Sequence, residues 1–559
     1  MTDAASSDRI AGLIAQRRSR PKNAPTRVTG DDPAPLSTVQ LSLWTLGAIN
    51  TRSGSTNRPT ATRLLGPLDI AALGRVLERL VERHEPLRTI YPFAGEEPVQ
   101  ELVARPTVVL AIEDISELSA QAGAAALHDA MRAAASHDFD VATQIQFQAT
   151  LLVESAESHV LVVALSHMAF DGWSESVFRA DLLELYRSEL EGVAAVLPEL
   201  PIRFSDFSRW ERAQGGSADA DEDLAYWKQA LAGLGEAPSL PNDATGAASD
   251  FTHFVTTRFD ATEMEAVRQL ALQENTTPFV VLLTALELLT RELTDAEDFV
   301  ITCPVAGRDR PEVHNLVGCF INAVYVRSSF RSASTHLDHL RAVRTRVGEA
   351  LAHRRLPSSR VVEVLGGWAK RPSLGDVKFQ WRDFPRREPA GPATIELEPL
   401  NVPSVRSGLA LSVTPRHDGA DLQVEFDPGK FSPGTVEGWC QRLRRHVREL
   451  CSDPLGEIGP LRPVRVPPDP VAALAPPELQ SVVGAVDWQT RSHPGAVAVR
   501  SPEAVLTYSE LWERSGSLAT GLLDLGVNPG DHVGVLSNRN AGHIVGMLAV
   551  LRAGAVVVP

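Results

Sequence analysis

Between residues 460 and 477 the chain reads "PLRPVRVPPDPVAALAPP", seven prolines in eighteen residues. Proline has no N–H to donate and pins φ, so neither a helix interior nor a central strand can cross this stretch. The residues before it must therefore complete their core without the residues after it. Residues 461–477 read as an extended linker, and residues 478–559 as a separate α/β segment. That segment stops on "GAVVVP", which reads as a buried strand, and the sequence is expected to be truncated there.

Upstream of the linker the apolar spacing alternates between two periods. Asp69 is placed to cap a helix, and Ile70, Leu73, Val76, Leu77, Leu80 and Val81 recur at three and four, one buried helical face. Pro86 closes it. Ile145, Phe147, Ala149 and Leu151 alternate as a half-buried strand, and "HVLVVALS" reads as a more fully buried one. Val177, Phe178, Leu182, Leu185 and Tyr186 then return to helical spacing. The order strand, loop, helix puts "LSHMAFDGWS", residues 165–174, at a strand's carboxyl end, where His167 can face a cleft. Similar elements recur further on: a helix near 260–273, "TPFVVLLTALELLTREL", and strands "DFVITCPVAG" and "GCFINAVYVR". Two comparable α/β halves around a shared cleft fit this order.

Charge narrows the partners. The formal net charge is -16, which argues against a polyanionic ligand, since phosphate binding needs a basic face. The one basic run, "RRSRPKNAPTR" at 17–27, contains proline, lies near the terminus and reads as a tail or docking segment. Four cysteines, Cys303, Cys319, Cys440 and Cys451, show neither CxxC spacing nor disulfide-scaffold density, so a reducing cytoplasm is expected and no metal site. No uncharged apolar run approaches the length of a spanning helix, and the N-terminus inverts the order of a secretory signal.

HxxxDG alone is a weak signal. Here it sits among "PLSTVQLSLW" at 35–44, "RHEPLRTIY" at 83–91, "RFSDFSRW" at 203–210, "VGCFINAVYVR" at 317–327 and "HRRLP" at 353–357. In this order and spacing, residues 35–460 resemble the condensation domain of nonribosomal peptide synthetases. "LTYSEL" at 506–511, "GVNPGDHVGVL" at 526–536 and "LRAGAVVVP" at 551–559 resemble the start of an adenylation domain, without the phosphate loop and later acid and lysine needed to use ATP.

The resemblance implies an α/β fold like chloramphenicol acetyltransferase: two lobes in a V, a pseudo-dimer, with a tunnel between them, followed by a partial α/β adenylation subdomain. It divides the chain into a docking or linker segment 1–34, an N-lobe 35–205, a C-lobe 206–460, the linker, and the adenylation fragment 478–559. The implied activity is that of an amide-forming acyltransferase in secondary-metabolite and antibiotic biosynthesis. The amine of an acceptor aminoacyl thioester attacks a donor acyl or peptidyl thioester. Both are carried on phosphopantetheine arms of carrier proteins, which enter as substrate carriers, with no cofactor bound covalently to the chain. The donor is expected in trans, and residues 1–30 are expected to dock an upstream synthetase subunit.

By the same resemblance His167 is the catalytic residue beside the reacting amine. Asp171 points away from the tunnel and holds the loop through an arginine, for which Arg308 is the candidate, so Asp171→Ala should damage shape more than chemistry. Gly172 lets backbone approach the substrate, and Asn322 lies beside the tunnel or braces backbone. Ser166 stands where the family usually has a first histidine and can substitute by bonding locally. Trp44, Phe207, Trp210 and Trp227 are expected to pack rather than react. A heterocyclising relative would have aspartate at 166 and no His167, and an epimerising one would carry an "EGHGR" motif that this chain lacks. The alternative is a catalytically idle condensation-like platform that docks a partner enzyme or carrier.

Overall fold

The computed structural model describes residues 24–459, except 50–53, 55, 215–217, 236–238, 244–250, 331–333, 365, 367–376, 384–394 and 405–407, together with 481–558, except 502–503 and 538–539. The proline-rich linker and residues 1–23 of the proposed docking segment lie outside these. The end of that segment is tied to the body: Arg27 donates to the Leu200 carbonyl and Val28 N–H to Asp206 Oδ1 at 3.1 Å. The chain divides into two compact units, Met1–Arg462 and Pro463–Pro559.

The larger unit has the two-lobed α/β architecture. In the first lobe the helix Ile70–Arg83 starts at Asp69, whose side chain accepts from Ala72 N–H, and its predicted face is buried from Leu73 to Val81. It packs with the helix Gly172–Glu191 on one face of a five-stranded sheet. Along the strand Ser158–Leu165, Leu161, Val163 and Leu165 meet that helical layer, while Val160, Val162 and Ala164 meet a second core under the helix Ala120–Ser136. Both faces are covered, which is why this strand reads as a continuous apolar run rather than an alternating one.

The second lobe is a six-stranded sheet ordered Asn322–Ser329, Asp298–Val305, Val377–Trp381, Leu409–Arg416, Gly419–Phe426, His253–Asp260. The helices Ala261–Gln273, Pro278–Thr294, His336–Ala352 and Pro433–Ser452 build one core with it. Within that core Glu287 is fully buried, with His339 Nε2 at 2.9 Å, Arg346 at 3.5 Å and the Ser328 hydroxyl at 2.7 Å. Burial alone would raise its carboxyl pKa, but these three neighbours together hold it below the ordinary value. Its stabilising share is therefore present above the unfolded-state pKa of about 4.3 and lost as pH falls through the lower folded value. Acid unfolding curves of wild type and Glu287→Gln are expected to differ most at neutral pH and to converge in acid.

The division at 205/206 is corrected in two places. The helix Phe204–Gln214 runs across it. The strand Glu396–Leu400, from deep in the expected C-lobe, joins the first lobe's sheet, pairing Leu400 with Ala61 and Glu396 with Leu65. Without it the strand Thr60–Leu65 would expose an unpaired edge. Ile395, beside this strand, packs into the first lobe's core.

The smaller unit holds the hairpin Val497–Arg500 with Val505–Thr507, the helices Val482–Ser492, Tyr508–Asp524 and Ala541–Arg552, and the parallel pair His532–Gly534 with Val556–Val558. The terminal strand is not buried as expected: Val556 and Val558 are each 43% exposed. Among the described residues no helix is long and apolar enough to cross a membrane, and no His, Cys, Asp and Glu are grouped to hold a metal.

Candidate active site

The strand Ser158–Leu165 ends one residue before Ser166, which bridges to Asn57, and His167 N–H donates to the Thr56 carbonyl at 2.8 Å. The chain then turns through Met168, Ala169 and Phe170, all buried, into the helix capped by Asp171. His167 is only 5% exposed. Its Nδ1 lies 2.7 Å from the Phe170 carbonyl oxygen. A carbonyl can only accept, so Nδ1 carries a proton, and in the neutral ring the lone pair resides on Nε2. Cys319 Sγ, from the second lobe, sits 3.6 Å from the same Nδ1. The histidine thus stands where the two lobes meet.

Asp171 has two tasks. As N-cap its Oδ1 accepts from the Ser174 N–H and hydroxyl, both at 2.7 Å. It also holds the other lobe: Arg308 Nη2 lies 3.1 Å from Oδ1, and Phe320 N–H donates to Oδ2 at 3.0 Å. Arg308 is buried, gives Nη1 to the Val313 and Leu316 carbonyls at 2.6 Å each, and stacks 4.2 Å over the Phe320 ring. Burial pulls its pKa down and Asp171 offsets part of that. Ser174 Oγ completes the junction by accepting from Gly318 N–H at 3.0 Å. The pairing of Asp171 with Arg308 is therefore direct, and the carboxylate is engaged by protein on both oxygens.

The loop 306–321 supplies the second lobe's share of these partners. Its Val317 enters the first lobe's core, while Val313, Leu316 and Phe320 pack with Ile202, Phe204 and Phe207. Here the expected strand from Gly318 is corrected: pairing begins at Asn322, because the Phe320 N–H is taken by Asp171 instead of a neighbouring strand. Gly307 has φ +64°, and a Cβ there would lie 1.9 Å from the Phe320 carbonyl oxygen. Gly307→Ala is expected to cost about 1–3 kcal/mol, read as a lower melting temperature.

The other predicted residues sit as follows. Ser166 Oγ accepts from Met168 N–H at 3.2 Å, a bond local to the turn. Gly172 opens the motif helix, half-buried and without positive φ. Asn322 uses its whole amide on backbone: Nδ2 donates to the Arg354 and Leu356 carbonyls at 2.8 and 2.9 Å, and Oδ1 accepts from Ala323 and Ser358 N–H. It is a brace for the "HRRLP" segment. Asn322→Ala strands these groups and is expected to cost about 2–3 kcal/mol, measured by chemical denaturation. Trp227 is fully buried, Trp44 packs edge-on against Phe93, and Phe207 makes tilted ring contacts with Trp210 and Phe320.

Cys319, Phe320, Ser174 and Gln40 are site residues that sequence reasoning did not single out. Gln40 Nε2 donates to the Met168 carbonyl at 3.0 Å and so supports the turn from beneath. Ser174 had a signal, since a polar residue three after a capping aspartate is a helix-start pattern. Cys319 had none.

A family model of the condensation domain matches residues 31–464, and one of AMP-binding enzymes matches residues 486–559. Phosphinothricin tripeptide synthetase PhsC of Streptomyces viridochromogenes is 32% identical over 556 residues, 96% of this chain and 50% of its own length. Chondramide synthase cmdD of Chondromyces crocatus is 31% identical over 546 residues, 94% of this chain and 14% of its own. The chain thus spans half or less of these relatives. Among solved structures, the X-domain from teicoplanin biosynthesis superposes with TM-score 0.68 at 25% identity, over 79% of this chain and all of its own. The first condensation domain of the calcium-dependent antibiotic synthetase, bound to a substrate analogue, gives 0.66 at 20% identity over 77% of this chain and 100% of its own, a likeness of fold. The chain belongs to the condensation-domain family of nonribosomal peptide synthetases, followed by the first part of an AMP-binding adenylation region.

Proposed function

We propose that the larger unit forms amide bonds between two carrier-bound substrates. The amine of an acceptor aminoacyl thioester attacks the carbonyl carbon of a donor acyl or peptidyl thioester. The nitrogen gives up a proton, and the donor's pantetheine thiolate leaves and is protonated. The observation that carries this reading is His167, whose Nδ1–H is held by the Phe170 carbonyl at the meeting of the lobes. That bond leaves the basic lone pair on Nε2. An α-amino group has a pKa of about 7.7–8.0, so freeing it at neutral pH is cheap. The larger need comes after the C–N bond begins to form, when the nitrogen turns strongly acidic and an adjacent base can accept its proton.

A second reading is favoured by the X-domain, one structure of which is a complex with OxyB: a docking platform for a partner enzyme that does no chemistry itself. Chemically loaded donor and acceptor carrier proteins separate the two. Under the first reading the wild-type chain yields an amide product detectable by mass spectrometry. Absence of product with every pair in a broad panel, alongside tight binding of a partner enzyme, would favour the platform.

A further inference from the structure

Two arginines of the first lobe pair with one carboxylate next to the His167 turn, and the charge of a third, from the second lobe, also favours its ionised form. Arg58 Nη2 lies 3.6 Å from Glu175 Oε2, and Arg179 Nη2 lies 3.3 Å from Glu175 Oε1. Thr60 also donates its hydroxyl to Glu175, at 3.0 Å. Arg382, just past the second lobe's strand Val377–Trp381, gives Nη1 to Gln423 Oε1 at 3.2 Å, and its positive charge also favours the ionised form of Glu175. Burial would raise the Glu175 carboxyl, but Arg179, Arg58, Thr60 and Arg382 hold it below its ordinary pKa, so it stays ionised. Glu425 also acts on Arg382, yet its carboxylate is engaged by the Thr252 and Ser404 hydroxyls. Among the described residues, Arg58 and Arg179 thus bring two guanidiniums to the single Glu175 carboxylate.

The surplus is felt by the side chains. Burial first, and then repulsion from Arg58, pull the Arg382 pKa down to about 10. Arg179 Nη1 is buried with no hydrogen-bond partner among the described residues. An internal ion network closes its charge and its donors, because a buried unpaired charge is costly. Here, among the described residues, one positive charge and one donor remain, while Arg58, Arg179 and Glu175 keep 31%, 22% and 19% of their side chains exposed.

The position is close to the chemistry. Arg58 N–H donates to the Leu165 carbonyl, two residues before His167, and Glu175 N–H donates to the Asp171 carbonyl. We propose that Arg58, Arg179 and Arg382 receive a carboxylate carried by the acyl or aminoacyl substrate itself, making this a specificity site for an acidic building block. The phosphodiester of a pantetheine arm lies at the far end of the arm from the thioester, so it would not reach a site beside the reacting centre. The placement of substrate here rests on the amide-forming reading.

Calorimetric binding to the full chain tests the receptor without turnover. The probes are aminopantetheine acylated with succinate, which keeps a free carboxylate, and its neutral succinamide isostere. The carboxylate probe is expected to bind about tenfold more tightly or better. Arg58→Gln, and separately Arg382→Gln, should cut that advantage to about twofold or less, leaving affinity for the neutral probe unchanged, which also shows that each variant is folded. Equal affinity of wild type for both probes overturns the proposal. So does an Arg58-dependent gain that appears only when the neutral probe is phosphorylated on its pantetheine end. A chain that prefers the carboxylate yet forms no amide with any carrier pair would sink the amide-forming reading and leave the receptor standing.

Discussion

Arg308→Ala is expected to lower the unfolding free energy of the condensation unit by about 3–5 kcal/mol, a large share of what typical domains possess. The cost comes from what is left behind more than from what is removed. Asp171 would stay buried, still capping its helix but without its cation. The Val313 and Leu316 carbonyls would lose the Nη1 donor they share, and the Phe320 ring its stacked guanidinium. Because those groups hold the loop 306–321 against the motif helix, Cys319 and the His167 ring should also shift. Trp173, whose ring lies 5.7 Å from the guanidinium, provides a fluorescence report during denaturation. Arg308→Met combined with Asp171→Asn should recover a large part of the loss, since it removes the stranded charge. Equal stability of wild type and Arg308→Ala would show that the pair is not what joins the lobes.

His167→Ala is expected to reduce condensation by roughly 10²–10⁴-fold, the usual scale of general acid–base assistance. The loss should fall on the chemical step, because the ring is only 5% exposed and offers little surface for holding two tethered substrates. Residual product is expected, since bringing amine and thioester together already removes much of the entropic barrier. Stability should change far less than for Arg308→Ala, because the bond from the imidazole Nδ1 to the Phe170 carbonyl lies within its own turn.

Local patterns were readable from the sequence and long-range closures were not. The cap at Asp69 and the face from Leu73 to Val81 follow from spacing alone, as does the doubly covered strand Ser158–Leu165. The strand Glu396–Leu400 was missed because Pro399 argues against a strand and its partner lies over 300 residues earlier. Proline is tolerated there because the strand is at a sheet edge, where one missing N–H leaves no neighbour unpaired. Cys319 and Phe320 read as part of a strand because the run to Arg327 is apolar. What takes them out of it is a hydrogen bond to Asp171, about 150 positions away, which no local period records. Arg58 and Arg179 carry no motif, lie 121 positions apart and meet only through Glu175.

The decisive measurement is single-turnover condensation between chemically loaded donor and acceptor carriers, run with wild type and with His167→Ala of matched melting temperature. A fall of about a hundredfold or more in the rate of amide formation, with carrier affinity retained, is the outcome required of an imidazole that handles the nitrogen's proton. Equal rates for the two proteins would remove His167 from the chemistry.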